Sequence, residues 1–262
     1  MTMNETPATL RSRIRTESFK GTTAGLHPDF IQTNLVILPE EEANAFRDFA
    51  KKNPVSCPVL EEFTPGETES TLAPGSDIRT DVPAYRVYRF GELAEKRTDI
   101  QEIWQDDFVT FLIGCSFTFE HALMQKEIPL RHVAEEKTVP MFVTSLETTP
   151  SGPFCGPVVV SMRPIPAHLV EQAQTITAQF PSVHGAPIHI GAPEEIAIAD
   201  LSQPDYGEAV TVNDGEVPVF WGCGVTPQQA ILRAACPFAI THEPGAMFVT
   251  DSRHEKYREQ AK

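Results

Sequence analysis

Proline is spread along almost the whole chain, with 23 prolines among 262 residues. A proline ring removes a backbone donor and breaks the interior of a helix or of a central strand. Long helices are therefore disfavoured, and the chain is expected to fold from many short elements joined by rigid turns. Hydrophobic residues make up 41% of the chain and charged residues 22%, which is typical of a globular core rather than of disorder.

Short apolar runs alternate with helical patterns along the sequence. The runs that predict strands are residues 33–38, 85–90, 108–113, 141–146, 157–162, 217–221, 238–241 and 247–250. Helices are predicted to begin after Pro39, at Phe117, at Pro166 and at Thr226, the last with a Thr/Gln capping box. This alternation predicts the α/β class, in a mixed α+β arrangement with a mixed sheet and short helices.

The two ends of the chain are polar. We expect residues 1–10 to be a disordered tail and residues 253–262 a solvated end. The remaining residues, 11–252, are long enough for one large domain or for two packed lobes.

The formal net charge of −15 bounds the choice of partner. Such a field repels phosphate backbones and anionic lipid head groups, so neither a nucleic acid nor a membrane surface is expected as a partner. A few arginines can reverse the potential inside one pocket, so a small anionic ligand is compatible with this charge.

Cysteine usage predicts the compartment. The five cysteines are scattered, odd in number and without a CxxC pair, which indicates free thiols in a reducing compartment. Residues 1–15 lack the apolar core of a secretory signal, and no apolar run approaches the roughly 18 residues of a membrane span. We therefore expect a cytoplasmic protein.

Two stretches share one local pattern, in which a predicted strand ends in Gly-Cys and turns toward a helix. They contain Gly114, Cys115 and Ser116 in the first stretch, and Gly222, Cys223 and Gly224 in the second. Helix starts attract anions, and glycine lets a backbone approach a ligand closely. The pattern therefore predicts a site for a carboxylate or an oxyanion. In the alternative interpretation both cysteines are small core residues, as most free cysteines are.

Two arginines stand where they could hold a carboxylate. Arg163 follows the predicted strand 157–162, and its fork of donors suits bidentate binding at a strand end. Arg79 lies between Asp77 and Asp81, so it either joins this clamp or forms a structural pair with these carboxylates.

Histidines supply the candidate bases, because imidazole titrates near neutrality. His184 and His189 lie five residues apart in a Gly/Pro segment, and His242 precedes a Pro-Gly turn that is predicted to join two strands. A metal site is the rival interpretation, but no third or fourth ligand is indicated, so no metal is predicted. The sequence contains no Walker loop, GxSxG, HExxH or GxGxxG motif, and no cofactor is expected.

Taken together, the chain resembles the D-glutamate cyclase family from about Arg11 to Asp251. The matching stretches are residues 21–25, 32–39, 57–61, 77–83, 85–88, 111–117, 160–164, 184–187, 220–228 and 240–251. Ala246 departs from the family pattern, in which a larger residue such as His is expected.

The resemblance implies a family-specific α/β fold of two interleaved lobes, at about residues 11–110 with 215–252 and at 111–214. It also implies a hydro-lyase reaction, in which D-glutamate loses water and becomes 5-oxo-D-proline. Such a cyclisation needs a clamp, a base, an oxyanion site and an acid. We assign the clamp to Arg163 with Arg79, the base to His184 or His242, the oxyanion site to the backbone after Gly114 and Gly222, and the acid to Asp251 or Glu120.

Two other functions stay open from the residues alone. A cysteine-dependent amidohydrolase would use Cys115 or Cys223 with a histidine. A non-catalytic protein could instead bind an acidic metabolite. A homodimer is the commonest assembly for a protein of this kind.

Overall fold

A computed structural model describes residues 5–259 of the chain. Within that range the chain forms eleven strands and six short α-helices. The strands are β1 (Phe30–Pro39), β2 (Val59–Glu62), β3 (Tyr85–Arg89), β4 (Glu92–Arg97), β5 (Phe108–Gly114), β6 (Met141–Glu147), β7 (Pro157–Pro166), β8 (His189–Ile190), β9 (Glu216–Gly222), β10 (Ala239–His242) and β11 (Phe248–Arg253). The helices are α1 (Pro7–Arg15), α2 (Glu40–Lys52), α3 (Phe117–Met124), α4 (Arg131–Ala134), α5 (Val170–Thr177) and α6 (Thr226–Ala234).

The larger sheet has seven strands in the order β2-β5-β1-β10-β3-β4, with β11 also paired to β1. Strand β1 is buried at eight of its ten positions, because it lies in the middle of this sheet. One face of the sheet packs against Phe46 and Phe49 of α2 and Ile231 of α6. The other face is covered by the segment between β2 and β5, which includes Ile78 and Ile100.

The smaller sheet has four strands in the order β6-β7-β9-β8. Strand β7 is buried at nine of its ten positions, and alternate side chains face opposite layers. Val160 and Met162 face one apolar cluster, whereas Ile165 packs with residues of α3 and α5 on the other side. Arg163, two residues before Ile165, therefore points toward α3.

The predicted α+β class is confirmed, but every strand pair is antiparallel, so the expectation of a mixed sheet is wrong. Strand β9 pairs with β7 in the smaller sheet. The division between the sheets therefore follows Gly222, rather than residue 215 as we expected for the lobes.

The prediction of a disordered tail is wrong for residues 7–10, which lie in helix α1. Leu10, Arg11 and Ile14 are buried, and the side chain of Thr6 caps the helix by accepting the N–H of Thr9. These few buried residues stand in a polar segment that does not show an apolar stripe in the sequence. Residues 1–4 lie outside the described range.

The expected solvated end is also wrong at its start. Strand β11 continues to Arg253, and His254 is buried with its Nδ1 3.1 Å from the carbonyl oxygen of Asp29. Residues 260–262 lie outside the described range. Among residues 5–259, no helix is long and apolar enough to cross a bilayer.

Candidate functional site

The two Gly-Cys turns have the same local structure. Strand β5 ends at Gly114 and helix α3 begins at Phe117, whereas β9 ends at Gly222 and α6 begins at Thr226. In each turn the backbone N–H two residues after the cysteine donates to its sulfur. The repeated sequence pattern therefore predicted a repeated structure correctly.

Glycine is needed in both turns because a side chain would meet packed atoms. A Cβ on Gly114 would lie 2.7 Å from the Ser182 carbonyl oxygen, and one on Gly222 would lie 2.9 Å from that of Val55. The closest approach is at Gly224, where a Cβ would lie 1.9 Å from Nδ2 of Asn34. These glycines therefore make room for neighbouring protein atoms, not for the ligand that the sequence pattern predicted.

Asn34 of β1 joins the two turns. Its Nδ2 donates to the carbonyl oxygen of Gly114 at 2.7 Å, in the first turn, while its amide group packs on Gly224 of the second. The amide is buried, so this hydrogen bond is shielded from competition with water. Asn34 thus fixes the distance between the two helix starts.

His184 also lies between backbone groups of this region. Its Nδ1 is 2.7 Å from the Val55 carbonyl oxygen and its Nε2 is 2.9 Å from that of Gly114. Burial lowers its pKa to about 4, although both carbonyl contacts act in the opposite direction. A neutral ring donates one hydrogen bond, and both ring nitrogens already face protein oxygens. This geometry does not support the predicted role of His184 as a base.

Backbone N–H groups at the two helix starts donate hydrogen bonds to carbonyl oxygens of the protein. The Thr118 N–H donates to the Cys115 carbonyl oxygen at 3.1 Å, and the Thr226 N–H donates to that of Cys223 at 2.9 Å. The Thr226 hydroxyl does not form the predicted capping box, because it accepts the Val159 N–H and donates to the Cys223 carbonyl oxygen. Of the expected oxyanion donors after Gly114 and Gly222, the Cys223 N–H donates to the Val159 carbonyl oxygen at 3.0 Å and is already used.

Neither cysteine of the two turns resembles an activated nucleophile. Burial raises the pKa of the Cys115 thiol well above its usual range and that of Cys223 to about 11. The Cys223 sulfur lies 3.5 Å from the sulfur of Met141, in an apolar cluster. The core interpretation of these cysteines is thus the better one.

Arg163 is at the centre of a buried polar network. Its Nε donates to Oε1 of Glu120 at 2.9 Å, and its Nη2 donates to the same oxygen. The guanidinium also donates to the hydroxyls of Ser161 and Ser116, each at 3.0 Å. Its faces lie against the rings of Phe119 and Trp221, 5.2 and 5.4 Å from the ring centres. Arg163 lies inside β7 rather than at the strand end that we expected, and its guanidinium binds a carboxylate of the protein.

Glu120 is held in its ionised form. Burial alone would raise its pKa, but His132 and Arg163 outweigh this and lower it to about 2. The prediction that Glu120 protonates a departing oxygen depended on a raised pKa, and the lowered pKa does not support it. Glu120 instead accepts hydrogen bonds at neutral pH.

His132 of helix α4 is the third member of the network. Its Nε2 lies 3.1 Å from Oε1 of Glu120, and the side chain is buried. Among residues 5–259, neither of its ring nitrogens finds an aligned hydrogen-bond partner. A buried polar group without a partner is costly, so this ring is a candidate for contact with a ligand.

A cavity of about 430 Å³ adjoins His132. The loop of residues 19–26 forms one wall, and residues 132–137 form the other. The side chain of Gln32 supports the loop, since its Nε2 donates to the carbonyl oxygens of Thr23 and Leu26. Lys137 also lines the cavity and contributes a cation.

A larger groove of about 560 Å³ runs along α2 and is mostly apolar in character. Within the described chain, its lining includes none of the buried polar atoms that lack a partner. The smaller cavity is therefore the better candidate site. No group of three or more His, Cys, Asp or Glu residues that could hold a metal ion occurs in residues 5–259.

His242 has a structural place in the larger sheet. The predicted turn at Pro244 and Gly245 is confirmed between β10 and β11, and the Ala246 N–H donates to the Glu243 carbonyl oxygen at 2.8 Å, although both strands pair with β1 and not with each other. Between the part of β1 that pairs with β10 and the part that pairs with β11, the Leu35 N–H donates to Nδ1 of His242 at 3.1 Å. Burial lowers the pKa of His242 to about 4, and the lone pair on Nδ1 is already used.

Two other predicted residues form ion pairs elsewhere. Arg79 makes a bidentate contact with Asp77, with oxygens 2.9 and 2.8 Å away, which is the structural pair considered above. Asp251 accepts two hydrogen bonds from Arg11 and so ties β11 to α1. Neither residue joins the network of Arg163.

Asn34, which joins the two turns, and His132, which lines the cavity, could not be predicted from the sequence. Asn34 lies inside an apolar strand, where a buried amide next to Gly224 could have been suspected only from the fold. His132 lies in the polar stretch 131–137, which has the composition of a solvated helix.

Comparison with known proteins gives consistent results. A family model described as D-glutamate cyclase matches residues 109–251. A protein of Rubrobacter xylanophilus named "Putative hydro-lyase" is 53% identical over 251 residues, which cover 95% of this chain and 97% of the relative. Similarly named proteins of Rhodococcus jostii and Bacillus licheniformis are each 51% identical and cover 97% and 96% of this chain, and the same shares of their own lengths.

Proposed function

Because this chain belongs to the D-glutamate cyclase family, we propose that it converts D-glutamate into 5-oxo-D-proline and water. The reaction is a hydro-lyase reaction in which the α-nitrogen replaces one oxygen of the side-chain carboxylate. It is intramolecular, so a site that holds the folded substrate can lower the barrier through orientation alone.

The single observation that carries the proposal is the cavity beside the buried network of His132, Glu120 and Arg163. Its volume of about 430 Å³ suits a small molecule. Lys137, which is paired with Glu135, provides a cation for a carboxylate of the substrate, and His132 provides a buried polar group on the same wall. A small dicarboxylate with an amine needs both kinds of partner.

The interior position of the network also favours chemistry over simple binding. Electrostatic interactions are stronger in a buried, water-poor site, and a fixed ion pair costs no reorganisation during the reaction. The raised thiol pKa values of Cys115 and Cys223 do not favour the amidohydrolase alternative.

Incubation of the purified chain with D-glutamate and with L-glutamate, followed by chiral chromatography of 5-oxoproline, tests the proposal. We expect product from the D isomer. Thermal stabilisation by D-glutamate without any product would instead support the non-catalytic binding protein.

The compartment and partners belong to the same proposal. All five cysteines are free in the structure, which supports a reducing compartment such as the cytoplasm. A small carboxylate is the proposed ligand, and a homodimer stays a prediction.

A further inference from the structure

His132 has no role assigned by the sequence or by the similar proteins, yet its position suits a catalytic base. We propose that His132 takes the proton from the substrate ammonium in the cavity formed by residues 19–26 and 132–137. This inference rests on the proposed cyclisation of D-glutamate and names the group that performs its proton transfers.

The contact with Glu120 selects one form of the ring. A carboxylate oxygen 3.1 Å from Nε2 favours a proton on that nitrogen, because an ionised carboxylate can only accept hydrogen bonds. In a neutral ring the lone pair then lies on Nδ1. Within residues 5–259 Nδ1 is buried and finds no protein partner, and His132 lines the cavity.

Glu120 and Arg163 act as positioning residues. Arg163 holds the Glu120 carboxylate from β7, and this carboxylate lies 3.1 Å from Nε2 of His132 and so orients the ring.

Besides Glu120 and Arg163, the charged residues of this region include the neighbours of His132 in the segment 131–137 and their ion-pair partners. Arg131 precedes it and pairs with Glu216, and Lys137 pairs with Glu135. The lining residues contributed by the loop of residues 19–26 carry no charge. Among the described residues that line the cavity, the charged groups besides His132 are Glu136 and Lys137.

The proton balance of the reaction shows why one such group suffices. The α-ammonium carries three hydrogens and the lactam nitrogen keeps one, so two protons must pass from nitrogen to the departing oxygen. His132 takes the first proton, and the free amine then attacks the side-chain carboxyl carbon and forms the carbon–nitrogen bond. His132 returns this proton to one oxygen of the tetrahedral intermediate and then takes the second proton from the nitrogen. It delivers that proton to the same oxygen as the carbon–oxygen bond breaks, so the oxygen leaves as water.

The other buried histidines near the turns are less suited to this role. Both ring nitrogens of His184 face carbonyl oxygens, and Nδ1 of His242 accepts the Leu35 N–H. The acceptor nitrogen of each neutral ring is thus used by the backbone or faces it, although Nε2 of His242 finds no partner among the described residues. His132 instead contacts a carboxylate and lines the cavity.

The test compares His132→Gln with His168→Gln. The second variant is a control, because His168 is an exposed histidine between β7 and α5. We expect His132→Gln to lower kcat for D-glutamate by about 10²–10⁴-fold, the range for loss of a general acid–base group. In the unchanged protein, kcat/KM should rise with pH through an ionisation that His132→Gln abolishes. His168→Gln should keep both the rate and the pH profile.

A second variant separates catalysis from folding. His132→Ala leaves space next to the cavity, so added imidazole should restore part of its activity, which a purely structural role would not allow. Formation of 5-oxo-D-proline by His132→Gln at the unchanged rate and pH profile would overturn the role of His132 and leave the proposed function standing. Absence of product from the unchanged protein would overturn both.

Discussion

The two Gly-Cys turns share a backbone pattern but differ in what surrounds them. In the first turn, the Ser116 hydroxyl contacts Arg163, which is held by the ionised Glu120. In the second turn, the Thr226 hydroxyl is bonded to the backbone of β7, and Cys223 lies in an apolar cluster. The first turn leads into a charged network and a cavity, whereas the second is packed against its neighbours.

We propose that this difference separates a turn that only supports the fold from one that also contributes to function. A strand that ends in Gly-Cys before a helix allows close packing, since each glycine lets a neighbouring backbone segment approach the turn closely. The chemistry depends on which side chains other elements bring to the turn. Only the first turn receives an arginine, a carboxylate and a histidine from three separate elements.

The largest expected effect comes from breaking the network of the first turn. Arg163→Ala would leave Glu120 buried without its partner, and the free energy of unfolding should fall by about 3–5 kcal/mol. Arg79→Ala, which breaks a half-exposed pair, should cost about 1 kcal/mol or less. Urea unfolding of both variants measures the difference, and equal losses would contradict the central place of Arg163.

The next largest effect is a loss of stability at low pH. The pKa of Glu120 is about 2 in the folded chain and has a usual value of 4.5, so the unfolded chain binds more protons between these values. The stabilisation is present above pH 4.5 and is lost as the pH falls toward 2, by on the order of 3 kcal/mol in total.

Glu120→Gln removes this titration. The difference in the free energy of unfolding between the unchanged chain and Glu120→Gln should therefore shrink as the pH falls through this window. A difference that stays constant would show that Glu120 is not held as an ionised group.

The link between the two turns gives a smaller effect. Gly224→Ala would push a methyl group into Asn34 and should cost about 1–3 kcal/mol through overpacking. Asn34→Ala removes the obstacle, so the double variant should be more stable than the sum of the single losses predicts. Additive losses in urea unfolding would mean that Asn34 does not couple the turns.

The smallest effect is expected at the two thiols. Cys115→Ala and Cys223→Ala should keep turnover within about threefold, because neither thiol is activated. A thiol reagent should modify the half-buried Cys155 before either of them in the folded chain. Rapid modification of Cys115 with loss of activity would restore the amidohydrolase hypothesis.

The sequence predicted the elements better than the site. Strong apolar runs identified most of the central strands, and Pro39 and Thr226 marked helices whose starts were right to within a residue. The prediction missed strands β2, β4 and β8 and helices α1 and α4, because each of these elements is either very short or polar in composition.

The site depended on contacts between distant segments. Arg163 and Glu120 are 43 residues apart in sequence, and neither position indicates that each neutralises the other. The sequence predicted a substrate carboxylate beside Arg163, whereas in the structure its partner is the carboxylate of Glu120. His132 was missed for the same reason, since its importance comes from Glu120 and from the loop of residues 19–26.

The central claim is that the first turn carries the chemistry and the second does not. It is tested most directly by the rate at which Ser116→Ala and Cys223→Ala form 5-oxo-D-proline from D-glutamate, each normalised to the folded fraction of the variant. Ser116→Ala removes a partner of Arg163, so we predict a loss of about tenfold or more in kcat, equivalent to at least about 1.4 kcal/mol. Cys223→Ala should retain a rate close to that of the unchanged chain. A large loss in Cys223→Ala with full activity in Ser116→Ala would contradict the account.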